Sequence, residues 1–251
     1  MASEISCNDP FGSASCDLGL IGPESVGLCR ADLRVSTETL RRYRSLLTTG
    51  ERERGDRFRF ADDARRFVVA RAVLRLLLAK LVGQDAAALE FAVGPYGKPA
   101  LGGDHPPQFS VSHSHELAAY ALASRPVGLD VEHLRPIDGA LEIASRTFTD
   151  AERTALEQAS GDRRSATFLR CWTRKEAYVK ATGAGLSKRL SSFSVAGDRE
   201  SAIVIHSDDA RDADRAIHVM SVAIHPDYAC AMATTGPIRT LRQFDWLHPA
   251  V

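Results

Sequence analysis

Residues 127–132, Val-Gly-Leu-Asp-Val-Glu, predict a β-strand that carries two acidic side chains. Side chains alternate across a strand, so Asp130 and Glu132 share one face while the apolar residues point to the other. Two neighbouring carboxylates repel each other unless a cation lies between them, and a hard divalent cation such as Mg²⁺ suits carboxylate oxygens. Taken alone, the pattern also fits an ordinary strand with one face in solvent.

The segments on either side of this strand predict two α+β halves that meet near residues 125–130. Upstream, apolar residues recur at three- and four-residue spacing over residues 62–82, which predicts a long helix ending at Gly83. Shorter helices are predicted at 36–47, 49–57, 141–146 and 150–158, with a second long helix at 164–182. Strands are predicted at 90–93, 108–112, 117–123, 127–132, 193–195, 202–206, 218–225 and 228–234. We expect a flexible N-terminal segment at 1–22, an N-terminal half at 23–127 and a C-terminal half at 128–251.

A second motif lies in the predicted helix at 164–182. Residues 172–180 read Trp-Thr-Arg-Lys-Glu-Ala-Tyr-Val-Lys, so Glu176 and Lys180 are four residues apart and share a face, with Trp172 one turn earlier. An exposed ion pair is the ordinary interpretation. The tryptophan favours partial burial instead, and the glycines of residues 183–186, Gly-Ala-Gly-Leu, allow backbone to approach a ligand closely.

Further polar residues could bind anionic groups. Residues 112–114, Ser-His-Ser, end a predicted strand, and Lys98 lies in a stiff loop between Gly97 and Pro99. His113 and His115 could also suggest zinc, but no third neutral ligand stands out. Arginines are dense between residues 52 and 66, interleaved with acids. Most of that segment should be a solvated helix face, and a subset could bind phosphate through the planar guanidinium fork.

Composition excludes several classes of protein. The chain of 251 residues has 32 basic and 32 acidic side chains, so it has no net field that attracts nucleic acid. No apolar run reaches the roughly 20 residues of a membrane helix, and the N-terminus lacks the basic start and apolar core of a signal peptide. Five cysteines without a CxxC pair predict no disulfide framework, so we expect a cytoplasmic protein. From the charge balance and the short apolar runs we expect neither nucleic acid nor a membrane as partner.

The order of the motifs resembles that of the Sfp-type 4′-phosphopantetheinyl transferases. The motifs are residues 97–99 (Gly-Lys-Pro), 112–114 (Ser-His-Ser), 128–132 (Gly-Leu-Asp-Val-Glu), 172–176 (Trp-Thr-Arg-Lys-Glu) with Lys180, and 183–186. The resemblance is strong from about residue 48 to residue 193 and weaker to about residue 234. It implies two similar α/β halves in one monomer, related by a pseudo-twofold axis, with coenzyme A in the cleft between them.

The resemblance also implies an activity and a set of roles. The enzyme would transfer the 4′-phosphopantetheine group of coenzyme A to a serine of apo acyl or peptidyl carrier proteins, as polyketide and nonribosomal peptide biosynthesis requires. Mg²⁺ would be held by Asp130, Glu132 and Glu176, and Lys180 would contact the phosphate under attack. Coenzyme A phosphates would be bound by Arg54, Arg66, Lys98, Ser112 and His113, with the 3′-phosphate at the two arginines.

Two questions stay open at the level of sequence. Glu51 stands where some members of the family carry a lysine, so that phosphate contact is in doubt, and Arg52 is a candidate replacement. A magnesium-dependent hydrolase of pyrophosphate bonds would use the same carboxylates with water as nucleophile. For the transferase, positioning and neutralisation of the phosphates matter most, and Glu176, or a water that it orients, is the candidate base for the serine proton.

Overall fold

The computed structural model describes residues 21–94, 97–103, 106–185, 188–197, 203–205 and 216–248. The first twenty residues of the predicted flexible segment, and Leu186 of the glycine loop, lie outside these ranges. The helices are α1 (Thr37–Ser45), α2 (Thr49–Asp56), α3 (Ala61–Val82), α4 (Ala140–Thr147), α5 (Asp150–Gln158) and α6 (Gly161–Thr182). The strands are β1 (Ser25–Asp32), β2 (Phe91–Val93), β3 (Pro99–Leu101), β4 (Gln108–Ser114), β5 (Leu117–Ala123), β6 (Val127–His133), β7 (Ile203–Ile205), β8 (Ile217–Ser221), β9 (Tyr228–Thr235) and β10 (Thr240–Asp245).

The first half is a four-stranded sheet covered by the long helix α3. The strand order is β10-β1-β5-β4, and a separate hairpin pairs β2 with β3. Strand β5, Leu-Ala-Ala-Tyr-Ala-Leu-Ala, is buried along its whole length. Its Tyr120 and Leu122 join α3 residues such as Val73 and Leu77 in one apolar cluster. Helix α3 ends at Gly83, whose positive φ of 66° is the left-handed conformation that favours glycine.

The second half repeats this construction. The strand order is β6-β9-β8-β7, all antiparallel, and the 22-residue helix α6 packs across β6 and β9. Another apolar cluster joins the two sheets: Val26 and Leu28 from β1 pack with Leu129 of β6 and Met232 of β9. The two sheets therefore share a core and meet along β4, β5 and β6.

The predicted α+β fold of two similar halves is confirmed, and the predicted helices differ from the observed ones by a few residues at most. The predicted strand at 193–195 is wrong. The backbone there has polar partners from side chains instead of a strand: the carbonyl of Phe193 accepts from Lys175, and the amide of Val195 donates to Glu152. No helix of the described residues is long and apolar enough to cross a membrane.

Three strands were not predicted: the short β3, and β1 and β10, which pair with each other. Strand β1 lies in the middle of the first sheet, and β10 pairs with it in parallel from Ser25↔Thr240 to Arg30↔Asp245. The C-terminal strand thus returns to the first half and covers the edge of β1 that would otherwise expose unpaired backbone groups. The predicted boundary at residue 127 therefore separates the two sheets as far as β9. Strand β10 follows β9 in the chain but belongs to the first sheet.

Candidate functional site

The approach of α6 to β6 fixes the site. A Cβ atom on Gly128 would lie 2.0 Å from the carbonyl oxygen of Ala177 and 2.4 Å from the backbone nitrogen of Ala181. Only glycine lets the helix backbone come this close to the strand. The helix therefore crosses β6 two residues before Asp130, and Glu176 and Lys180, one turn apart on α6, lie beside the acidic face of the strand.

The ion pair observed at Lys180 joins the helix to the strand, and it replaces the Glu176–Lys180 pair of the ordinary interpretation of the helix motif. Lys180 Nζ lies 2.7 Å from Asp130 Oδ1, and it also donates to Ser112 Oγ at 3.3 Å. Ser112 Oγ in turn donates to the same Asp130 oxygen at 2.8 Å. The structure thus brings Ser112, Asp130 and Lys180 together, as expected for residues of one site.

Three alternate serines of β4 connect the two halves. Because side chains alternate along a strand, Ser110, Ser112 and Ser114 all face β6. Ser110 Oγ accepts from the amide of Leu129 at 3.0 Å. Ser114 Oγ donates to Glu132 Oε2 at 2.8 Å and accepts from the amide of residue 133 at 3.1 Å. Ser110 and Ser114 were not predicted as site residues, although their two-residue spacing on either side of Ser112 was a signal of this contact.

The carboxylates of the cleft carry more negative charge than their protein partners offset. Burial raises the pKa of Glu132, and the charge of Asp130 raises it further. Burial likewise raises the pKa of Glu176, with further increases from Asp130 and Glu132 that Lys180 opposes. Asp130 Oδ2 is buried and has no hydrogen-bond partner among the residues that the structure describes. A bound cation would relieve this repulsion and supply that oxygen with a partner.

The residues present fit a hard divalent cation by their chemistry. Carboxylate oxygens are the ligands that Mg²⁺ prefers. Within the described part of the chain, however, no three Asp, Glu, His or Cys side chains are already grouped as a metal-binding set. Asp130 is paired with the Lys180 ammonium, so a metal would have to share that carboxylate with the lysine.

A pocket of about 500 Å³ opens next to Glu176 and Lys180. Its apolar wall comes from both halves, with Phe109 and Val111 from β4 and Trp172 and Val179 from α6. Its remaining wall includes Gly183, Gly185, Lys188 and Leu190 from the segment after α6. The pocket is therefore mainly apolar, with Lys98, Glu176 and Lys180 also in its lining, and its size suits a small flexible chain.

The opposite side of α6 holds the pocket wall in place. Lys175 is fully buried, and its ammonium lies 2.9 Å from Glu152 and donates to the carbonyls of Leu190 and Phe193 at 2.7 Å each. Glu152 also accepts from the amide of Val195 at 2.6 Å. One face of residues 172–180 thus lines the pocket. The opposite face holds residues 190–195, which begin in the pocket wall.

The cations expected to bind phosphate are found in three different environments. Lys98 is part of the pocket wall, but its Nζ donates to the carbonyls of Val127 and Lys180 at 2.8 and 2.9 Å. Arg66 donates to Glu116 at 2.7 Å and to Asp63 at 3.0 Å. Arg54 is exposed, and its guanidinium lies 5.2 Å from the centre of the Phe67 ring.

Three further residues bear on the predicted phosphate site: His113, Glu51 and Arg52. Desolvation lowers the pKa of His113, and the charges of Lys180 and Arg66 lower it further. Glu51 caps α2 by accepting from the amide of Thr48 at 2.9 Å, and it forms ion pairs with Arg71 and Arg75. Arg52, the candidate replacement for the missing phosphate contact, donates to the carbonyl of Leu47 at 2.6 Å.

Comparison with known proteins gives consistent matches over most of the chain. Residues 126–233 match the family model described as the 4′-phosphopantetheinyl transferase superfamily. Residues 34–127 match a second model, described as 4′-phosphopantetheinyl transferase, N-terminal. The two models meet at residues 126 and 127, close to the seam between the sheets.

Curated relatives carry the same description. A 4′-phosphopantetheinyl transferase of Bacillus subtilis is 32% identical over 195 residues, which cover 74% of this chain and 86% of that protein. The 4′-phosphopantetheinyl transferase Sfp of Bacillus subtilis strain 168 is 29% identical, with 82% of this chain and 90% of that protein covered. The 4′-phosphopantetheinyl transferase HetI of Nostoc is 34% identical, with 66% and 71% covered.

Proposed function

This chain belongs to the 4′-phosphopantetheinyl transferase superfamily, and from that premise we propose that its cleft binds coenzyme A and Mg²⁺ along the seam between the two halves. The enzyme transfers the 4′-phosphopantetheine group of coenzyme A to a serine of an apo carrier protein. The single observation that carries the assignment of the site is the group formed by Asp130, Glu132, Glu176 and Lys180 beside the apolar pocket.

Each group of this site has a role in the transfer. The serine oxygen of the carrier attacks the pantetheine-side phosphorus of the pyrophosphate, the bridging P–O bond breaks, and adenosine 3′,5′-bisphosphate leaves. The Lys180 ammonium is placed to neutralise charge on the phosphate under attack. Glu176, or a water that it orients, takes the serine proton. Positioning is the main requirement, because the leaving group is already a good one.

We propose that three carboxylates of the site bind Mg²⁺. Asp130, Glu132 and Glu176 would hold it, with Asp130 Oδ2, which has no hydrogen-bond partner among the described residues, as the most direct ligand. When bound, Mg²⁺ supplies neutralisation of the pyrophosphate oxygens. Ser112 and Ser114 orient the two strand carboxylates through their hydroxyl groups.

The two ends of coenzyme A fit different surfaces. The pantetheine arm is long, flexible and largely apolar, and it suits the 500 Å³ pocket between β4 and α6. For the nucleotide end we propose the surface of the first half at Arg54, Arg66 and His113. Arg66 would share its guanidinium between Glu116 and the 3′-phosphate. Since both halves line the cleft within one chain, we propose that the monomer is the active species.

Mass spectrometry of a carrier protein tests the proposed function. The enzyme is incubated with coenzyme A, Mg²⁺ and an apo carrier, and the carrier should gain the mass of one phosphopantetheine group. A carrier whose acceptor serine is replaced by alanine should gain nothing, and a chelator should stop the reaction. Release of adenosine 3′,5′-bisphosphate without a carrier would instead identify a pyrophosphate hydrolase. Sedimentation of the active sample reports the oligomeric state.

A further inference from the structure

Lys98 connects the first half of the molecule to both catalytic elements of the second half. It lies in the loop just before β3, and its Nζ donates to the carbonyl of Val127 at 2.8 Å and to the carbonyl of Lys180 at 2.9 Å. Val127 is the first residue of β6, the strand that carries Asp130. Lys180 lies in the last turn of α6. One ammonium therefore touches the backbone at the start of the acidic strand and at the end of the catalytic helix.

The position of the second carbonyl gives a physical reason for a cation. The last four carbonyl groups of a helix have no intrahelical N–H partner. Helix α6 ends at Thr182, so the carbonyl of Lys180 is one of these four. Aligned peptide dipoles also make this end of the helix partly negative, which favours a positive charge. Lys98 supplies both a donor and a charge there, from the other half of the protein.

Keeping this ammonium in the cleft is costly. Burial, and after it the charge of the neighbouring Lys180, lower the pKa of Lys98 to about 8. Within the described part of the chain its hydrogen bonds go to two neutral carbonyls, and no carboxylate there pairs with it to offset the desolvation of the charge. An apolar side chain of the same length would fill the space without that cost, although it would leave the two carbonyls unbonded. The presence of a buried charged side chain at this position therefore points to a specific role of the ammonium group.

We propose that Lys98 is a positioning residue that fixes the last turn of α6, and with it the Lys180 ammonium, against the first half. This inference rests on the proposed transferase reaction, in which Lys180 contacts the phosphate under attack. It differs from the role implied by the family resemblance, which makes Lys98 a ligand of coenzyme A phosphates. Two of the three N–H groups of Lys98 are already donated to protein carbonyls.

Two measurements on Lys98→Met separate positioning from phosphate binding. A positioning role predicts that kcat falls about tenfold to a hundredfold, because a small displacement of Lys180 spoils the alignment of the reaction. The Kd for adenosine 3′,5′-bisphosphate should stay unchanged. A phosphate ligand predicts the reverse, with a Kd that rises about tenfold or more on loss of a charge-assisted hydrogen bond. A raised Kd, or an unchanged kcat, overturns the proposal.

Amide hydrogen exchange gives a readout that does not depend on activity. Exchange in the last turn of α6, at residues 179–183, should be faster in Lys98→Met than in the wild type. Lys80→Met is the matched control, because it removes an exposed lysine from the last turn of α3, the corresponding helix of the first half. It should change neither kcat nor exchange in α6. Unchanged exchange in Lys98→Met would contradict the proposal.

Lys98→Gln is a second variant, and it keeps the proposal testable if Lys98→Met does not fold. Glutamine keeps two N–H donors without the charge, so it should restore part of kcat if the partners are carbonyls. If its kcat is no better than that of Lys98→Met, or its Kd for the bisphosphate rises, the proposal fails. The wild type is assayed with the carrier in parallel. A wild type that does not modify the carrier contradicts the proposed function, whereas an active wild type beside an equally active Lys98→Met contradicts only the role of Lys98.

Discussion

Charge is balanced inside the first half of the molecule and left unbalanced in the cleft. In the first half, four arginines meet four carboxylates, in the pairs Glu51–Arg71, Glu51–Arg75, Glu116–Arg65, Glu116–Arg66, Asp62–Arg65 and Asp63–Arg66. In the cleft, the carboxylates of Asp130, Glu132 and Glu176 stand beside the Lys180 ammonium, while Lys98 is bonded to carbonyls, and among the described residues Asp130 Oδ2 has no hydrogen-bond partner. The first arrangement stabilises the fold. The second lacks positive charge, which is the property expected of a site completed by a cation and a substrate.

The largest effect should come from a substitution that pushes α6 away from β6, the two elements that carry the carboxylates of the cleft. Gly128→Ala places a methyl group 2.0 Å from a backbone oxygen of α6, and a helix backbone cannot yield as a flexible side chain can. We expect a loss of more than about 3 kcal/mol in the free energy of unfolding, or no soluble protein at all. Urea denaturation measures it.

Gly27→Ala is the control for that substitution. Gly27 lies in β1, and a Cβ there would meet ordinary contacts of 3.7 Å or more. The variant should be close to the wild type in stability. Equal unfolding midpoints for the two alanine variants would show that the close approach of α6 to β6 is not what holds the cleft together.

Removing one charge from the cleft should affect catalysis far more than stability. Asp130→Asn takes away the buried carboxylate that pairs with Lys180 and is proposed to bind Mg²⁺. We expect kcat to fall by more than about a hundredfold with the fold retained, because the charge acts on the transition state. Glu132→Ala should cost less if a water can replace it as ligand. Full activity of Asp130→Asn at ordinary Mg²⁺ concentration would contradict the site assignment.

Removing one charge from the first half should do the opposite. Glu51→Gln leaves Arg71 and the almost fully buried Arg75 without their counter-charge. We expect the free energy of unfolding to fall by about 3 kcal/mol, with kcat unchanged at a temperature where the variant is folded. Thermal unfolding and the carrier assay measure the two quantities. Glu53→Gln is the control on the same helix, because its contact with Arg57 is long and exposed. A Glu51→Gln variant with normal stability and a lower kcat would place Glu51 in the active site.

The effect expected to be smallest near neutral pH concerns acid stability. Hydrogen bonds from Arg65, and then from Arg66, lower the pKa of Glu116 from 4.5 to about 2. A carboxyl group with a lowered pKa in the folded state stabilises the fold above its unfolded pKa, and that stabilisation is lost as the pH falls towards about 2. Between pH 4.5 and 2 the wild type should therefore lose up to about 1.4 kcal/mol per pH unit from this group. Glu116→Gln should lose less over the same range, as urea midpoints at several pH values would show. Parallel curves for the two proteins would mean that the ion pairs with Glu116 do not persist in solution.

The sequence was most informative where local rules act alone. The apolar spacing and the glycine at residue 83 located α3, and the two-residue alternation of β6 placed Asp130 and Glu132 on one face, as the structure has them. The missed strands β1 and β10 depend on a parallel pairing across more than 200 residues, which no local pattern reports. The wrong strand at 193–195 failed because Lys175 and Glu152 bind its backbone from a distant helix.

By itself, the sequence determined the chemistry of this protein: which carboxylates share a face, which lysine is one helical turn from Glu176, and which family the order of the motifs resembles. These properties follow from spacing along single elements. The tertiary structure decided which charges remain for a ligand. Arg66 and Glu51 form ion pairs with residues far along the chain, and Lys98 is bonded to carbonyls of the other half. Asp130 keeps one oxygen that no described residue bonds to. Packing alone makes that distinction, because a charge is available to a substrate only after every neighbour in space, near or distant in sequence, has been placed.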